Sequence, residues 1–341
     1  MTSMEKGISI IVPVYNCEDY LKECLDGLLV QDIDDYEIIL VDDESKDSSG
    51  EICDFYAERF DNVRVIHQKN SGPGGARNAG MDVARGKYIL FVDSDDVVEQ
   101  NCLGKIQRTA EANELDLLII ARDIFTDDER TIINFKYVFK PTFGVNSVVS
   151  GIEFLKRGLE TNEYYPMVTF KLYRKEYLIE NSIRFMPNII HEDDGFMFRA
   201  TIRAKKVMSL EDQFYHYRMQ GSSIMHTLVA EKRAEGFCSA IAQIGEVLEE
   251  VEGEWESSTE AYLVLRYIDM LAQNALVNYM LSDKESRIRS RGQYSCLLDR
   301  SKRYYKGLRF KVRLYAKDPY RIAPYYRAYR KIRKSLKSVM A

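Results

Sequence analysis

Apolar residues in the first 120 positions fall into short runs, separated by longer stretches of helical spacing. The runs Ile8–Val14, Tyr36–Val41, Val63–His67, Lys87–Val92 and Asp116–Ile120 are rich in Ile, Leu and Val, as strands buried on both faces are. Between them, apolar positions recur every three or four residues. Asp19–Val30 sets Tyr20, Leu21, Cys24, Leu25, Leu28 and Leu29 on one side of a helix. Asp47, Ser48 and Ser49 can cap a second helix running to about Phe60; Ala76–Ala84 and about Gln100–Asn113 predict two more. Regular alternation of strand and helix predicts an α/β fold, a mostly parallel sheet flanked by helices on both faces. Such sheets bind ligands outside the carboxyl ends of their strands, near a switch in strand order.

Beyond about Ala121 the pattern loosens. Ile124–Phe139 reads as a hairpin, Ile152–Leu159 as a helix and Gln213–Arg218 as a late strand. From Ala230 to Ser282 the spacing predicts two helices broken near Gly253, the second with Tyr262, Leu265, Ile268, Leu271, Ala272 and Leu276 on one face. The expected organisation is a catalytic domain over residues 1–225, a helical region over 226–299 and a basic, aromatic-rich tail over 300–341.

Composition changes this picture only at the tail. With 341 residues, 45% of them hydrophobic, the chain can build a core without disulfide or metal staples. Six cysteines form no C-x-x-C pair; Cys17, Cys24 and Cys53 fall in segments that read as helical, which suits reduced, buried thiols and argues against zinc. The start of the chain has no basic region leading into an apolar stretch, and no window reaches the length of a membrane span, so a cytoplasmic protein is expected. Net charge is −5, yet from Arg300 onward 15 Lys and Arg face one acidic residue, Asp318. Those 42 residues carry +14 and the remainder −19. A basic stretch interleaved with tyrosines suits an anionic membrane surface, and equally a solvated helix packed on the body; the acidic body argues against nucleic acid.

Polar residues that could carry chemistry cluster at the predicted strand ends. Asp93-Ser94-Asp95-Asp96 gathers three carboxylates, which repel unless solvent or a cation relieves them, and hard divalent cations favour such oxygen ligands. Asp42-Asp43-Glu44-Ser45 is a second acidic strand end. Gly72-Pro73-Gly74-Gly75 precedes a predicted helix and fits neither the dinucleotide fingerprint nor the P-loop. His191-Glu192-Asp193-Asp194 could supply a general base, or simply acidic residues for a helix N-terminus. His216 and His226 are open to reading as metal ligands or as ordinary histidines.

Taken together these segments resemble glycosyltransferase family 2, the inverting family of GT-A (Rossmann-like) fold. The matching pieces are Ser9 to Asn16, Ile39 to Ser45, Gly75 to Gly80, and Phe91 to Asp96. The resemblance implies an inverting transfer from a UDP-sugar to a saccharide acceptor. The tail points to a lipid-linked acceptor, with undecaprenyl diphosphate the candidate carrier, as in bacterial capsule or exopolysaccharide assembly. Residue by residue, it implies that Pro13, Tyr15 and Asp43 line the nucleobase pocket, Arg77 contacts the nucleotide, and Asp93 approaches ribose or sugar hydroxyls. Asp95 would coordinate a divalent metal, manganese or magnesium, with His226 a weaker candidate, and Asp193 would be the base. Glu44 stands where the family usually has glycine. A non-catalytic nucleotide-sugar-binding or scaffold subunit on the same fold is the alternative.

Overall fold

The computed structural model describes residues 6–127, 138–219, 230–250, 259–281 and 285. His226 and the 300–341 tail lie outside them. The chain divides into two compact units, one of residues 1–188 and 196–223, the other of 189–195 and 224–341.

In the first unit the strands are β1 (Lys6–Val14), β2 (Tyr36–Asp42), β3 (Val63–His67), β4 (Gly86–Phe91), β5 (Val97–Val98), β6 (Leu117–Phe125), β7 (Lys171–Arg174) and β8 (Val207–Arg218). They form one sheet in the order β3-β2-β1-β4-β7-β6-β8-β5. The segment β3-β2-β1-β4 is parallel throughout. Every residue of β2 is buried, as expected where helices cover both faces. Even Glu37 is buried there, its carboxylate taking hydrogen bonds from Ser9 Oγ, Arg64 and the Arg85 N–H, so the charge is paired. The chain moves outward from β1 to β2 and β3, then returns to lay β4 on the other side of β1. That switch sets the carboxyl ends of four strands around one crevice.

Helices α1 (Leu21–Leu29), α2 (Ser49–Ala57), α3 (Gly72–Val83) and α4 (Leu103–Ala112) follow β1, β2, β3 and β5. After β6 come α5 (Gly151–Thr161), α6 (Lys175–Glu180) and α7 (Glu192–Ile202). Helix α3 lies close on β1: a Cβ on Gly80 would come within 2.4 Å of Ile11 Cγ2. Buried Arg77 sits one turn before that contact.

Several expectations need correction. Helix α3 begins at Gly72, four residues earlier than the spacing predicts, because Pro73 fits the first helical turn, where its missing N–H costs nothing. Cys17 lies in the loop after β1 rather than in a helix, although it is buried like the other four described cysteines, which are all free thiols. The pattern missed β7, a four-residue antiparallel strand between β4 and β6 with Lys171 buried at one end and Arg174 at the other. Of the expected 124–139 hairpin, residues 128–137 lie outside the description, while Arg122 and Phe139 pair antiparallel.

In the second unit, α8 (Ala230–Glu250) and α9 (Thr259–Leu281) pack on each other. Helix α9 buries Leu263, Val264, Tyr267, Ile268, Leu271 and Ala275. Ile268 and Leu271 are buried as expected, whereas Tyr262 is 51% exposed and Ala272 only half-buried; the side chains of Leu265 and Leu276 lie outside the description. This helix is apolar over most of its circumference, so periodicity alone defines its inner face poorly. No helix among the described residues is long and apolar enough to cross a membrane.

Candidate active site

The crevice begins where β1 and β2 end. Asn16 takes a left-handed conformation, and its N–H and Oδ1 bond to Ser45 Oγ and the Lys46 N–H, joining the two strand-end loops. Tyr15 is 45% exposed beside them, and Pro13 is half-buried. Asp43 is buried; its N–H donates to the Val14 carbonyl. Asp43 Oδ1 accepts from Gln68 Nε2 at 2.7 Å and from the Ser71 N–H at 2.9 Å, so β3 and the start of α3 fix its rotamer. Oδ2 takes part in neither bond. The neighbouring Asp42 has a structural task, receiving the Ser45 N–H and bonding His67 at 2.9 Å. Burial works against its ionisation, but those bonds win and hold the carboxyl below its ordinary range.

Glu44 sits at φ +67°, in the region glycine prefers. The departure from the family pattern seen in the sequence is thus a point of backbone strain at the site.

At the end of β4 the three aspartates of the Asp93–Asp96 turn have different surroundings. Asp93 is partly exposed and pairs with Arg77, whose Nη2 donates to Oδ1 at 2.8 Å. Arg77 thus engages the acidic turn, with its guanidinium 5.5 Å from the centre of the Phe185 ring. Asp95 is half-buried, and burial, followed by the charge of Asp93, pushes its carboxyl up to about 6. Asp96 is fully buried. It accepts from Tyr215 Oη at 2.5 Å and from the Arg218 N–H at 2.9 Å. Burial and the charges of Asp95 and Asp93 raise it well above the usual carboxylate range.

The Asp93–Asp95 pair fits a hard divalent cation. Its donors are oxygens only, as magnesium and manganese prefer, and the repulsion that raises Asp95 is what a cation would remove.

The sequence pattern placed a late strand over Gln213–Arg218 but missed Arg218 and Arg122 as the residues behind this turn. Arg218, its side chain almost wholly buried, donates from Nε to the Asp95 carbonyl at 2.8 Å and is paired with Glu23 and Asp127. Arg122 is fully buried against the Phe170 and Tyr217 rings. Its desolvation is opposed by the charge of Asp96. His216 lies between Asp123 and Glu99, at 2.6 and 3.1 Å, a structural setting for that histidine.

In the second unit, residues 189–195 lie tightly on α8 and α9. A Cβ on Gly236 would meet the Ile190 carbonyl oxygen at 2.1 Å, and one on Gly195 would meet Gln243 Oε1 at 1.8 Å. The His191 ring stacks on Phe237 at 3.9 Å, and burial lowers its pKa to about 4, with help from Arg233. Asp194 is buried and accepts from Tyr267 Oη at 2.5 Å; burial nevertheless raises it to about 7. Asp193 is half-buried in the first turn of α7. One ligand atom from each of His191, Asp193 and Asp194 lies within 4.8 Å of the others.

Residues 9–181 match the family model described as glycosyl transferase family 2. The chain is 35% identical over 229 residues to glycosyltransferase GlyG of Streptococcus pneumoniae serotype 4, an alignment covering 66% of this chain and 74% of that protein. It is 38% identical over 221 residues to the uncharacterized glycosyltransferase EpsJ of Bacillus subtilis, covering 64% of this chain and 62% of EpsJ, so it spans less than two thirds of that relative. Among solved structures, S. aureus TarS 1-349 in complex with UDP-GlcNAc superposes with a TM-score of 0.73 at 23% identity, over 95% of this chain and 92% of that one. That likeness is one of fold, the mixed α/β GT-A sheet with helices after it.

Proposed function

The chain belongs to glycosyl transferase family 2, and from that premise we propose that this glycosyltransferase moves a sugar from a UDP-sugar to a saccharide acceptor with inversion. The observation that carries the proposal is the meeting, at one switch point, of Tyr15, Asp43 and the Asp93–Asp96 turn. Tyr15 offers an exposed ring for uracil to stack on, beside Pro13, and Asp43 keeps one carboxylate oxygen outside its structural bonds for a base N–H. Asp93, held by Arg77, faces ribose or sugar hydroxyls, and Arg77 lies with it on the nucleotide side. Asp95 is the proposed ligand for manganese or magnesium, which when bound would stabilise the departing diphosphate as a Lewis acid. UDP-GlcNAc bound to TarS on a similar fold supports a UDP-linked hexose or N-acetylhexosamine as donor.

Asp193 is the proposed base. As the acceptor oxygen bonds to the anomeric carbon, the bond from that carbon to the diphosphate oxygen breaks and the hydroxyl proton passes to the Asp193 carboxylate. The diphosphate carries away the electron pair, and inversion requires no protein nucleophile. General-base assistance of this kind is worth roughly 10²–10⁴-fold.

We assign the acceptor to bacterial cell-surface polysaccharide assembly, lipid-linked and carried on undecaprenyl diphosphate. Residues 1–225 would form the catalytic domain, 226–299 a helical region, and the basic tail from residue 300 would hold the enzyme peripherally at the cytoplasmic face of the membrane. A panel of UDP-sugars with manganese, read by UDP release, tests the activity. Asp95→Ala should abolish metal-dependent UDP binding, whereas Asp193→Asn should keep it and lose transfer. Unchanged turnover in Asp193→Asn would remove the base assignment. Tight UDP-sugar binding with no hydrolysis or transfer from any donor would favour a scaffold instead. Removing residues from 300 onward should leave donor hydrolysis intact and release the protein from anionic vesicles.

A further inference from the structure

We propose that Tyr215 is a positioning residue for the donor site: its hydroxyl, shared between the Asp93 N–H and the Asp96 carboxylate, fixes the acidic turn so that Asp93 and Asp95 face the metal–diphosphate. The inference rests on the functional reading above and deepens it.

The geometry is specific. The turn follows β4, whereas Tyr215 lies on β8, and β7 and β6 separate those two strands in the sheet. Tyr215 is 2% exposed, yet its hydroxyl is fully engaged. It donates to Asp96 Oδ2 at 2.5 Å and accepts from the Asp93 N–H at 3.2 Å. Three residues on, the Arg218 N–H reaches Asp96 Oδ1 at 2.9 Å and its Nε reaches the Asp95 carbonyl at 2.8 Å. Strand β8 therefore holds the turn at residues 93, 95 and 96. Both oxygens of Asp96 point back into the protein, which marks it as the anchor. Arg77 holds the Asp93 carboxylate, while the remaining contacts, Asp96 N–H and Cys24 Sγ to the Asp93 carbonyl, touch neither the Asp95 nor the Asp96 side chain. A hydrogen bond from a neutral hydroxyl to a buried carboxylate is among the stronger protein contacts, and one rotor linked to two points of a four-residue turn constrains it well.

The Tyr215 ring also packs 6.1 Å from Phe170, so a purely structural role for the residue is the competing account. Tyr215→Phe separates the two, because it keeps the ring and deletes the hydroxyl. In the full chain the variant should stay folded, melting a few degrees below wild type because buried Asp96 loses a donor, and bind UDP unchanged without metal. With manganese present, its UDP affinity should fall about tenfold, and the manganese needed for half-maximal UDP binding should rise in parallel, as loss of one buried hydrogen bond predicts. Manganese-dependent UDP affinity within about twofold of wild type overturns the inference, since that is the noise of such comparisons.

Should Tyr215→Phe fail to fold, Asp96→Asn carries the same test from the other end of the bond, with the same threshold. Where both are soluble, the double variant should bind no more weakly than Asp96→Asn alone; additive losses would show that the hydroxyl does not act through Asp96. Asp95→Ala measured alongside separates the two levels of the argument. If it loses metal-dependent binding while Tyr215→Phe keeps it, only the positioning inference fails. If Asp95→Ala keeps that binding, the donor-site reading fails and the inference falls with it.

Discussion

Asp95→Asn should make the metal-free protein more stable while removing its metal-dependent donor binding. Burial, then the charge of Asp93, raises the Asp95 carboxyl from 3.8 to about 6. An acid raised on folding binds protons more tightly in the native state than in the unfolded one, so its ionisation opposes folding. The cost is absent below about 3.8, grows between there and about 6, and is complete above 6. At full effect such a rise corresponds to about 3 kcal/mol, which solvent at a half-buried side chain reduces to about 1–2 kcal/mol. Asparagine keeps the shape and deletes the charge. The variant should gain about that much at pH 8, and roughly half of it at pH 5, where wild-type Asp95 is already protonated in the folded state. Denaturant unfolding followed by circular dichroism at the two pH values, without metal, gives both numbers. Calorimetry with UDP and manganese then tests the functional cost. A variant less stable than wild type, or one whose advantage is equal at both pH values, would refute the reasoning, because the carboxylate would then be held by favourable bonds and not raised by burial and repulsion.

Other consequences can be checked as directly. Glu44→Gly should relieve the left-handed conformation, worth about 1–2 kcal/mol to a residue with a side chain, against about 0.4–1 kcal/mol of added unfolded-state entropy. A net gain of about 0–1.6 kcal/mol in denaturant unfolding is expected, and a clear loss would contradict the strain. His67, raised by its bonds to Asp42 and then Asp54, should titrate above 6.5 by NMR and move down in Asp42→Asn. The stability it contributes is present below pH 6.5 and is lost as pH rises through its folded value, so an unmoved titration in Asp42→Asn would reject the pairing. Tyr267→Phe removes the donor to buried Asp194, already raised to about 7, and should destabilise the protein by about 1–3 kcal/mol. That loss should be greatest above pH 7, where Asp194 would have to ionise unpartnered; a pH-independent loss would point to packing instead.

The parallel core of the fold was legible because each of its strands is a nearly unbroken apolar run, and each helix between them shows one apolar face. Positions such as Ile8 to Val14 and Tyr36 to Val41 allow few other readings. Strand β7 escaped for the opposite reason. Four residues that begin with Lys171 and end with Arg174 have no periodicity of their own, and only pairing with β4 and β6 makes them a strand. The α9 face was placed only in part, right at Ile268 and Leu271 and wrong at Tyr262, because a helix apolar on most sides is oriented by its partner, α8, whose position no local pattern encodes. Helix α3 shows a subtler limit: four residues rich in glycine and proline read as a loop, yet proline in a first turn is compatible with a helix that tertiary packing has already placed.

From the residue pattern alone the site was legible as a set of strand ends, while its roles came only from the family resemblance. Asp93, Asp95 and Asp96 are chemically identical in the sequence, and within the turn nothing ranks them. What separates them arrives from elsewhere in the chain: Arg77 from α3 reaches Asp93, while Tyr215 and Arg218 from β8 take both oxygens of Asp96. Asp95, raised to about 6 by burial and then by the charge of Asp93, is the more accessible of the two raised carboxylates, and a cation there would relieve the repulsion. The same logic explains the cost of the arrangement. Three structural partners, Arg77, Tyr215 and Arg218, are spent on the outer aspartates, and on the proposed reading the stability that Asp95 costs without metal would return as metal affinity. A substitution that relaxes Asp95 should therefore move stability and binding in opposite directions, whereas one that frees Asp96 should weaken both.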